Sequence, residues 1–279
     1  MRSLSITDRV QLWKTPFYGI ECYEAQLHHH RFDRHFHDAY TIGMNRGGVG
    51  QCIHRSRTHR HHPGSFNCIN PAEVHTGEVA AESDCWFFQN IYITPSALKQ
   101  LMSQLEWRSQ NDLPCFRKMV VDDPSLQNAF QQAFDSLTGS SSQRLEQQSY
   151  LLHFFAQLLS KHLCPPSVHR SLKPEHKAVR QVKAYLEAHC AEPASTDELS
   201  SLVNLNAYYL IRCFHQQVGL PPHSYKKQRQ LLQAKQALLG KEAIADIAIR
   251  CGFYDQSHLN RAFKQSYGIT PGQYRKAIR

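Results

Sequence analysis

The spacing of apolar residues changes character once along this chain. Over roughly the first 90 positions they fall in short runs. ECYEAQL, AYTIGMN, GQCIHR, GSFNCIN and CWFFQNIYI are each rich in apolar, aromatic or β-branched residues. NRGGVG, HHPG and NPAE punctuate them as turns. Many short strands at this spacing predict a small barrel or jelly roll.

After Thr94-Pro95 the period lengthens to that of helices. PSALKQLMSQL starts on proline and repeats leucine at helical intervals, and DPSLQNAFQQAFDSL sets Leu126, Phe130, Phe134 and Leu137 along one side. In SSQRLEQQSYLLHFFAQLLSKHL, Leu145, Leu152 and Leu159 recur every seven residues, with Phe155 on the same stripe and Leu151 and Leu158 widening it. Two readings stay open. The stripe packs on the barrel, or it pairs the helix Arg144–His162 with its copy in a second subunit, a homodimer. CPPSVHRSLKP then stops helices and favours extended chain. From Lys177 onward nearly everything reads as helix. The fold class is α+β, with a β-barrel and following helices over 1–163, a linker over 164–174 and an all-α domain over 175–279.

The last domain repeats itself. GLPPHSY (219–225) and GITPGQY (268–274) share Gly-x-x-Pro-x-x-Tyr at an offset of 49. The same offset superposes Asp197 on Asp246, Leu210 on Leu259, Arg212 on Arg261 and Phe214 on Phe263 without a gap. So many identities in register indicate a duplicated unit. Each copy reads as short helix, turn, second helix. TDELSSLV, capped by Thr196 or Asp197, leads through NLN into AYYLIRCFHQQV. IADIAIRC leads through GFYD into QSHLNRAFKQSY, capped by Asp255. This is the plan of a helix-turn-helix, whose second helix enters the DNA major groove. Gly219 and Gly268 end the second helices, and Pro222 and Pro271 start the next ones. SYKKQRQLLQAKQALLG links the copies, and its Leu231, Leu232, Ala234, Lys235, Leu238 and Leu239 give it an apolar side with a basic flank.

The residues left to face DNA are Tyr208, Ile211, Arg212 and His215 on the first recognition helix. On the second they are Gln256, Ser257, Asn260, Arg261 and Lys264. Arginine forks to guanine, and Gln or Asn suits adenine. The equivalence of Arg212 and Arg261 also fits phosphate contacts that set register, or a salt bridge within each unit. Ile211, apolar among polar readers, either meets a thymine methyl or reads no base.

Charge supports this assignment. The net charge is +9. Residues 175–279 hold 15 Lys+Arg against 8 Asp+Glu, a surplus of +7, which points to an anionic partner. The nine cysteines are odd in number and none forms C-x-x-C, which argues against a disulfide framework or a cysteine zinc site. With no apolar leader and no long apolar run, the expected location is the cytoplasm. Neither a nucleophile triad nor a phosphate-binding glycine loop is legible, so an enzyme is not expected.

GFYDQSHLNRAFKQSYGITPGQYR resembles the signature of AraC-type (AraC/XylS) transcription regulators, and ELSSLVNLNAYYLIRCFHQQVGLPPHSY fits the first helix-turn-helix of that family. The resemblance implies a seven-helix DNA-binding domain and a bacterial cytoplasmic regulator, more often an activator that engages RNA polymerase. Ten of the 18 histidines lie between His28 and His75. His35-x-His37, then PG, NP and His75, resemble the cupin-like ligand domain such regulators carry. His35 and His37, two apart, fall on one strand face. With His75 they are candidate ligand-binding residues for a small-molecule effector of unknown identity. No acidic residue follows where metal-binding cupins place one, so no metal or other cofactor is expected. The competing hypothesis is a metal-dependent cupin enzyme or metal sensor using His35, His37 and His75. HRSRTHRHH (54–62) reads as an exposed basic hairpin.

Overall fold

The computed structural model describes residues 7–15, 17–105, 114–139, 144–163 and 177–278. The expected linker lies outside the described residues. The chain divides into an N-terminal unit ending at Ser171 and a C-terminal unit starting at Leu172, with Phe32–Phe36 counted in the second and Ala277–Arg279 in the first.

All five strands expected from sequence are present, as parts of β2 (Glu21–Leu27), β4 (Tyr40–Gly48), β5 (Gly50–His54), β7 (Phe66–Ile69) and β9 (Trp86–Ile93). Five more complete the set among the described residues: β1 (Arg9–Lys14), β3 (Phe32–His35), β6 (Arg57–His61), β8 (His75–Val79) and β10 (Val120–Val121). Their sequences are short or charged, so pairing rather than apolar content makes them strands. β5 and β6 form a hairpin turned by Arg55 and Ser56, both at positive φ (49° and 62°), as a two-residue turn between twisted strands requires.

A six-stranded antiparallel sheet runs β1-β2-β9-β4-β7-β10. Its register sorts side chains into two rows. Cys22, Ile91, Ile42 and Cys68 stand side by side on one face and join the main core. Tyr23, Asn90, Gly43 and Asn67 stand side by side on the other. On a second sheet, β5 pairs with both β6 and β8.

The core face is covered by α1 (Pro95–Gln104), α2 (Pro124–Thr138) and α3 (Arg144–His162). Thr94 and Asp123 cap α1 and α2 through side-chain oxygens, each followed by proline. Leu126, Phe130, Phe134 and Leu137 of α2 are buried as their spacing predicts. So are Leu151, Phe154, Phe155, Leu158 and Leu159 of α3, which places that apolar side on the barrel domain's own core. Of the heptad leucines only Leu159 is fully buried. Leu152 packs partly, and Leu145 is 75% exposed.

The second unit holds α4 (Lys177–Ala188), α5 (Thr196–Val203), α6 (Ala207–Val218), α7 (Pro222–Ala237), α8 (Ile244–Arg250), α9 (Gln256–Tyr267) and α10 (Pro271–Ala277). Gly219 and Gly268 close α6 and α9 in the left-handed conformation (φ 84° and 75°), and Pro222 and Pro271 open α7 and α10. Tyr225 folds onto Phe214 and Tyr274 onto Phe263, with ring centroids 5.6 and 5.7 Å apart. The paired Gly-x-x-Pro-x-x-Tyr clause is thus a structural device that sets the exit angle of each helix. Gly268→Ala should lower the unfolding free energy by about 1–2 kcal/mol, the cost of a side chain in the left-handed region. Gly240→Ala, at a glycine without positive φ, should change it far less in the same urea titration.

Candidate nucleic-acid interface and ligand site

In the first helix-turn-helix, α5 (Thr196–Val203) is capped one residue earlier than expected. Ser195, not Thr196 or Asp197, accepts from Glu198 N at 3.1 Å, while the Glu198 carboxylate accepts from Ser195 N at 2.7 Å. This capping box satisfies two orphan amides at once. Asn204 turns the chain at φ 51°, and Asn206 then caps α6 by accepting from Tyr208 N and Tyr209 N. In the second unit Gly252 makes the turn at φ 82°, and Asp255 caps α9 by accepting from His258 N at 2.6 Å. The two recognition helices are therefore started by side-chain caps and ended by left-handed glycines in the same way.

Leu210 and Phe214 on α6, and Leu259 and Phe263 on α9, are fully buried. Between them, Tyr208, Ile211, Arg212 and His215 are exposed on α6, and Gln256, Ser257, Arg261 and Lys264 on α9; Asn260 is half-buried. Among the described residues no ion pair ties down Arg212 or Arg261, so the salt-bridge reading of these two finds no partner. Ile211, 37% exposed, lines a cleft with Leu199, Pro222, His223 and Lys226.

Sequence reasoning missed two features of this unit. Tyr254, in the turn just before α9, is 90% exposed and stacks on His258 with centroids 5.7 Å apart. α7 also carries two buried glutamines. Gln230 donates to the Gly252 carbonyl at 3.2 Å and Gln228 to Ser266 Oγ at 3.5 Å. Gly252 is needed here, since a Cβ would lie 2.5 Å from both Gln230 Nε2 and the Ala191 carbonyl oxygen. On its other side α7 reaches α4, where the Tyr225 hydroxyl donates to the Glu187 carboxylate. Lys235 lies over the rings of Tyr267 and Tyr274 at 5.5 and 5.3 Å. The expected apolar side of the linking helix is narrower than its sequence implies: Leu231, Ala234 and Leu238 are buried, but Leu239 is exposed.

In the barrel domain, β3 ends at His35, so His37 is not on the same strand face as expected. It follows the strand, outside any helix or strand. One ring nitrogen from each of His35, His37 and His75 nevertheless lies within 4.8 Å of the others. The His37 and His75 centroids are 5.3 Å apart, and Tyr92 stands 5.1 Å from His37. His35 Nδ1 faces the Asp33 carbonyl at 2.7 Å and His75 Nδ1 the Glu73 carbonyl at 2.9 Å. A carbonyl accepts only, so each Nδ1 carries the proton and Nε2 is the acceptor nitrogen. Such a group can hold a polar ligand or a divalent cation.

The same sheet face carries Thr41 and Asn90. Thr41 Oγ1 and Asn90 Oδ1 are buried without a hydrogen-bond partner among the described residues. Gly43 makes this arrangement possible, because a Cβ there would fall 1.7 Å from Asn90 Oδ1 and 2.7 Å from Asn67 Oδ1.

The hairpin over 54–62 is basic and exposed on one side only. Arg55, Arg57 and Arg60 face outward, whereas His54 and His61 are buried. His61 Nε2 lies 3.1 Å from Cys52 Sγ, and the Trp86 ring is 5.7 Å away. Burial holds the His61 imidazole down to about 4 and pushes the Cys52 thiol up to about 12, so both are neutral.

Two family models match the chain. A model described as an AraC-like ligand binding domain covers residues 17–155, and one described as a helix-turn-helix domain covers 199–277. A regulator from Bacillus subtilis (strain 168), the uncharacterized HTH-type transcriptional regulator YbfI, is 28% identical over 88% of this chain and 87% of its own. The HTH-type transcriptional activator RhaS of Escherichia coli O81 (strain ED1a) is 26% identical over 91% of each chain. Among solved structures, ToxT from Vibrio cholerae shares the fold at a TM-score of 0.54 and 12% identity, over 98% of this chain and 99% of that one. Fold and site thus define a class, that of DNA-binding regulators joining an antiparallel β ligand domain to paired helix-turn-helix units. Within that class, the chain belongs to the AraC-type family of transcription regulators. The comparisons give no support to the competing reading as a metal-dependent enzyme or metal sensor.

The low His61 value has a measurable consequence. A histidine near 6.5 when unfolded and about 4 when folded stays neutral in the native state, so its contribution is complete above pH 6.5 and declines as pH falls toward 4. The loss from this group should reach about 3 kcal/mol. Urea unfolding at pH 7 and pH 4.5 checks it: the wild type should lose more stability between the two than His61→Gln does.

Proposed function

We propose that this protein is a ligand-responsive, sequence-specific activator of transcription. It reads DNA with α6 and α9 in adjacent major grooves, works in the cytoplasm and catalyses no reaction. One observation carries the DNA-binding part. Two equivalently capped helices each expose a row of hydrogen-bonding and cationic side chains between fully buried anchors. Arg212 and Arg261 are assigned to phosphate or mixed contacts that fix register. Gln256, Ser257, Asn260 and Lys264 supply the second helix's remaining contacts, and Tyr208, Ile211 and His215 those of the first. RNA polymerase is the protein partner that activation implies.

The effector is a small polar molecule. His35 and His75 present imidazole rings fixed by backbone carbonyls, His37 clusters with them, and Thr41 Oγ1 and Asn90 Oδ1 offer buried oxygens near the same sheet face. Burying Thr41 Oγ1 and Asn90 Oδ1 without a partner among the described residues is unfavourable, which favours a ligand able to hydrogen-bond to them. The exposed Leu145 and part-packed Leu152 on the outer side of α3 support a homodimer through Arg144–His162.

Binding-site selection from random duplex DNA, followed by titration of the selected site, tests this reading. Wild type should select a site with two elements about one helical turn apart. Arg261→Ala should weaken binding similarly on all sequences and lower the salt slope by about one, while Asn260→Ala should relax preference at a single position. Failure to enrich any sequence, or an Arg261→Ala protein that binds like wild type, would overturn it. For the effector, a thermal-shift screen of polar metabolites should return a compound that stabilises the wild type. Asn90→Ala or His75→Gln should abolish that shift.

A further inference from the structure

The interior of the barrel domain brings together three donor atoms that neither the DNA-binding nor the effector assignment uses. Cys52 on β5 places Sγ 3.1 Å from Nε2 of His61 on β6. The same sulfur lies 3.6 Å from Sδ of Met119, in the segment leading into β10. All three residues are buried, at 2%, 3% and 5% exposure. Cys52 and His61 share the β5–β6 ladder, and Met119 comes from a separate segment. Asn45 Nδ2 donates to the His61 carbonyl at 2.5 Å, and Cys68 N donates to the Met119 carbonyl at 2.8 Å. Trp86 packs against His61, a placement that depends on Gly50, where a Cβ would fall 2.2 Å from the indole.

We propose that Cys52, His61 and Met119 form a binding site for a soft monovalent metal ion, cuprous copper. Thiolate, thioether and imidazole are donors that suit Cu(I) and zinc, whereas magnesium, calcium and manganese prefer oxygen. Charge decides between the two in favour of Cu(I). Binding replaces the thiol proton, Cys52–SH plus Cu(I) giving Cys52–S–Cu(I) and a released proton, with no change of oxidation state. Thiolate and Cu(I) together are neutral, which suits a buried site. A divalent ion would leave an uncompensated positive charge there. The thiol proton meanwhile has a nitrogen and a sulfur within reach, so the metal-free domain is stable and the trio is pre-assembled. Opening by a few tenths of an ångström would let the three atoms surround one ion at about 2.0–2.3 Å, the bond lengths metals make with these donors. The ion would fasten the β5–β6 hairpin of one sheet to the β10 segment that edges the other.

Anaerobic titration of the full-length protein with Cu(I), in competition with bathocuproine disulfonate, tests the site. One equivalent should bind, and X-ray absorption should show sulfur and nitrogen neighbours. Cys52→Ser and Met119→Leu should each weaken that equivalent by about tenfold or more, while Cys85→Ser should leave it unchanged. Met119→Leu nearly conserves volume, so circular dichroism and unfolding curves keep a ligand loss distinct from misfolding. The proposal is overturned if both ligand variants retain wild-type affinity, which would place the copper on the exposed histidines. It is equally overturned if equimolar Zn(II) displaces the ion. Neither result bears on DNA binding, which the titration of the selected site reads separately.

Discussion

The DNA-binding unit depends on one helix serving two masters. α7 starts at the proline that ends the first helix-turn-helix and runs on to the second, and it is buried against both. Tyr225 near its start packs on Phe214 of α6 and donates to Glu187 of α4. Further along, Gln228 and Gln230 hydrogen-bond Ser266 of α9 and the Gly252 turn. A buried amide that loses its partner costs about 1–3 kcal/mol, so these bonds define one seating of the second unit on the rod. Apolar contacts alone, from Leu231, Ala234 and Leu238, would tolerate sliding or rotation. The polar contacts are directional and do not, which is why a duplicated sequence becomes a fixed pair of reading heads.

The barrel domain shows the opposite economy. One face of its six-stranded sheet is apolar and closed by α2 and α3, with Phe66, Phe130 and Phe154 in mutual ring contact. The other face carries Tyr23, Asn67, Asn90 and Tyr92, with Gly43 leaving room for the amides. A stable core would put apolar residues on both faces. Retaining hydrogen-bonding groups on the other one lowers stability, and the proposed effector site draws on them.

Membership of the family was legible from residues 219–225 and 268–274 outward, because the repeat is written in local chemistry. A left-handed glycine, a proline one turn later and apolar anchors four apart act over distances of a few residues, and the chain displays them in order. The strands that the sequence does not announce, β1, β8 and β10, have no such local signature. Val120 and Val121 are a strand because Asn67 and Phe66 lie beside them. The N-cap of α5 is ambiguous in sequence for a related reason: Ser195, Thr196 and Asp197 are all good caps, and only the reciprocal bond with Glu198 chooses among them.

What the sequence determined by itself is therefore what local chemistry and its repetition write: the helices, the glycine stops of α6 and α9, the duplicated unit, and the exposed rows Tyr208–His215 and Gln256–Lys264. Only the tertiary structure decided which distant groups meet. Gln230 reaches Gly252 across 22 residues, and Met119 reaches Cys52 across 67. Sheet register and helix seating set those meetings. Both are fixed by the burial of whole faces at once, a collective term that no short stretch of chain contains.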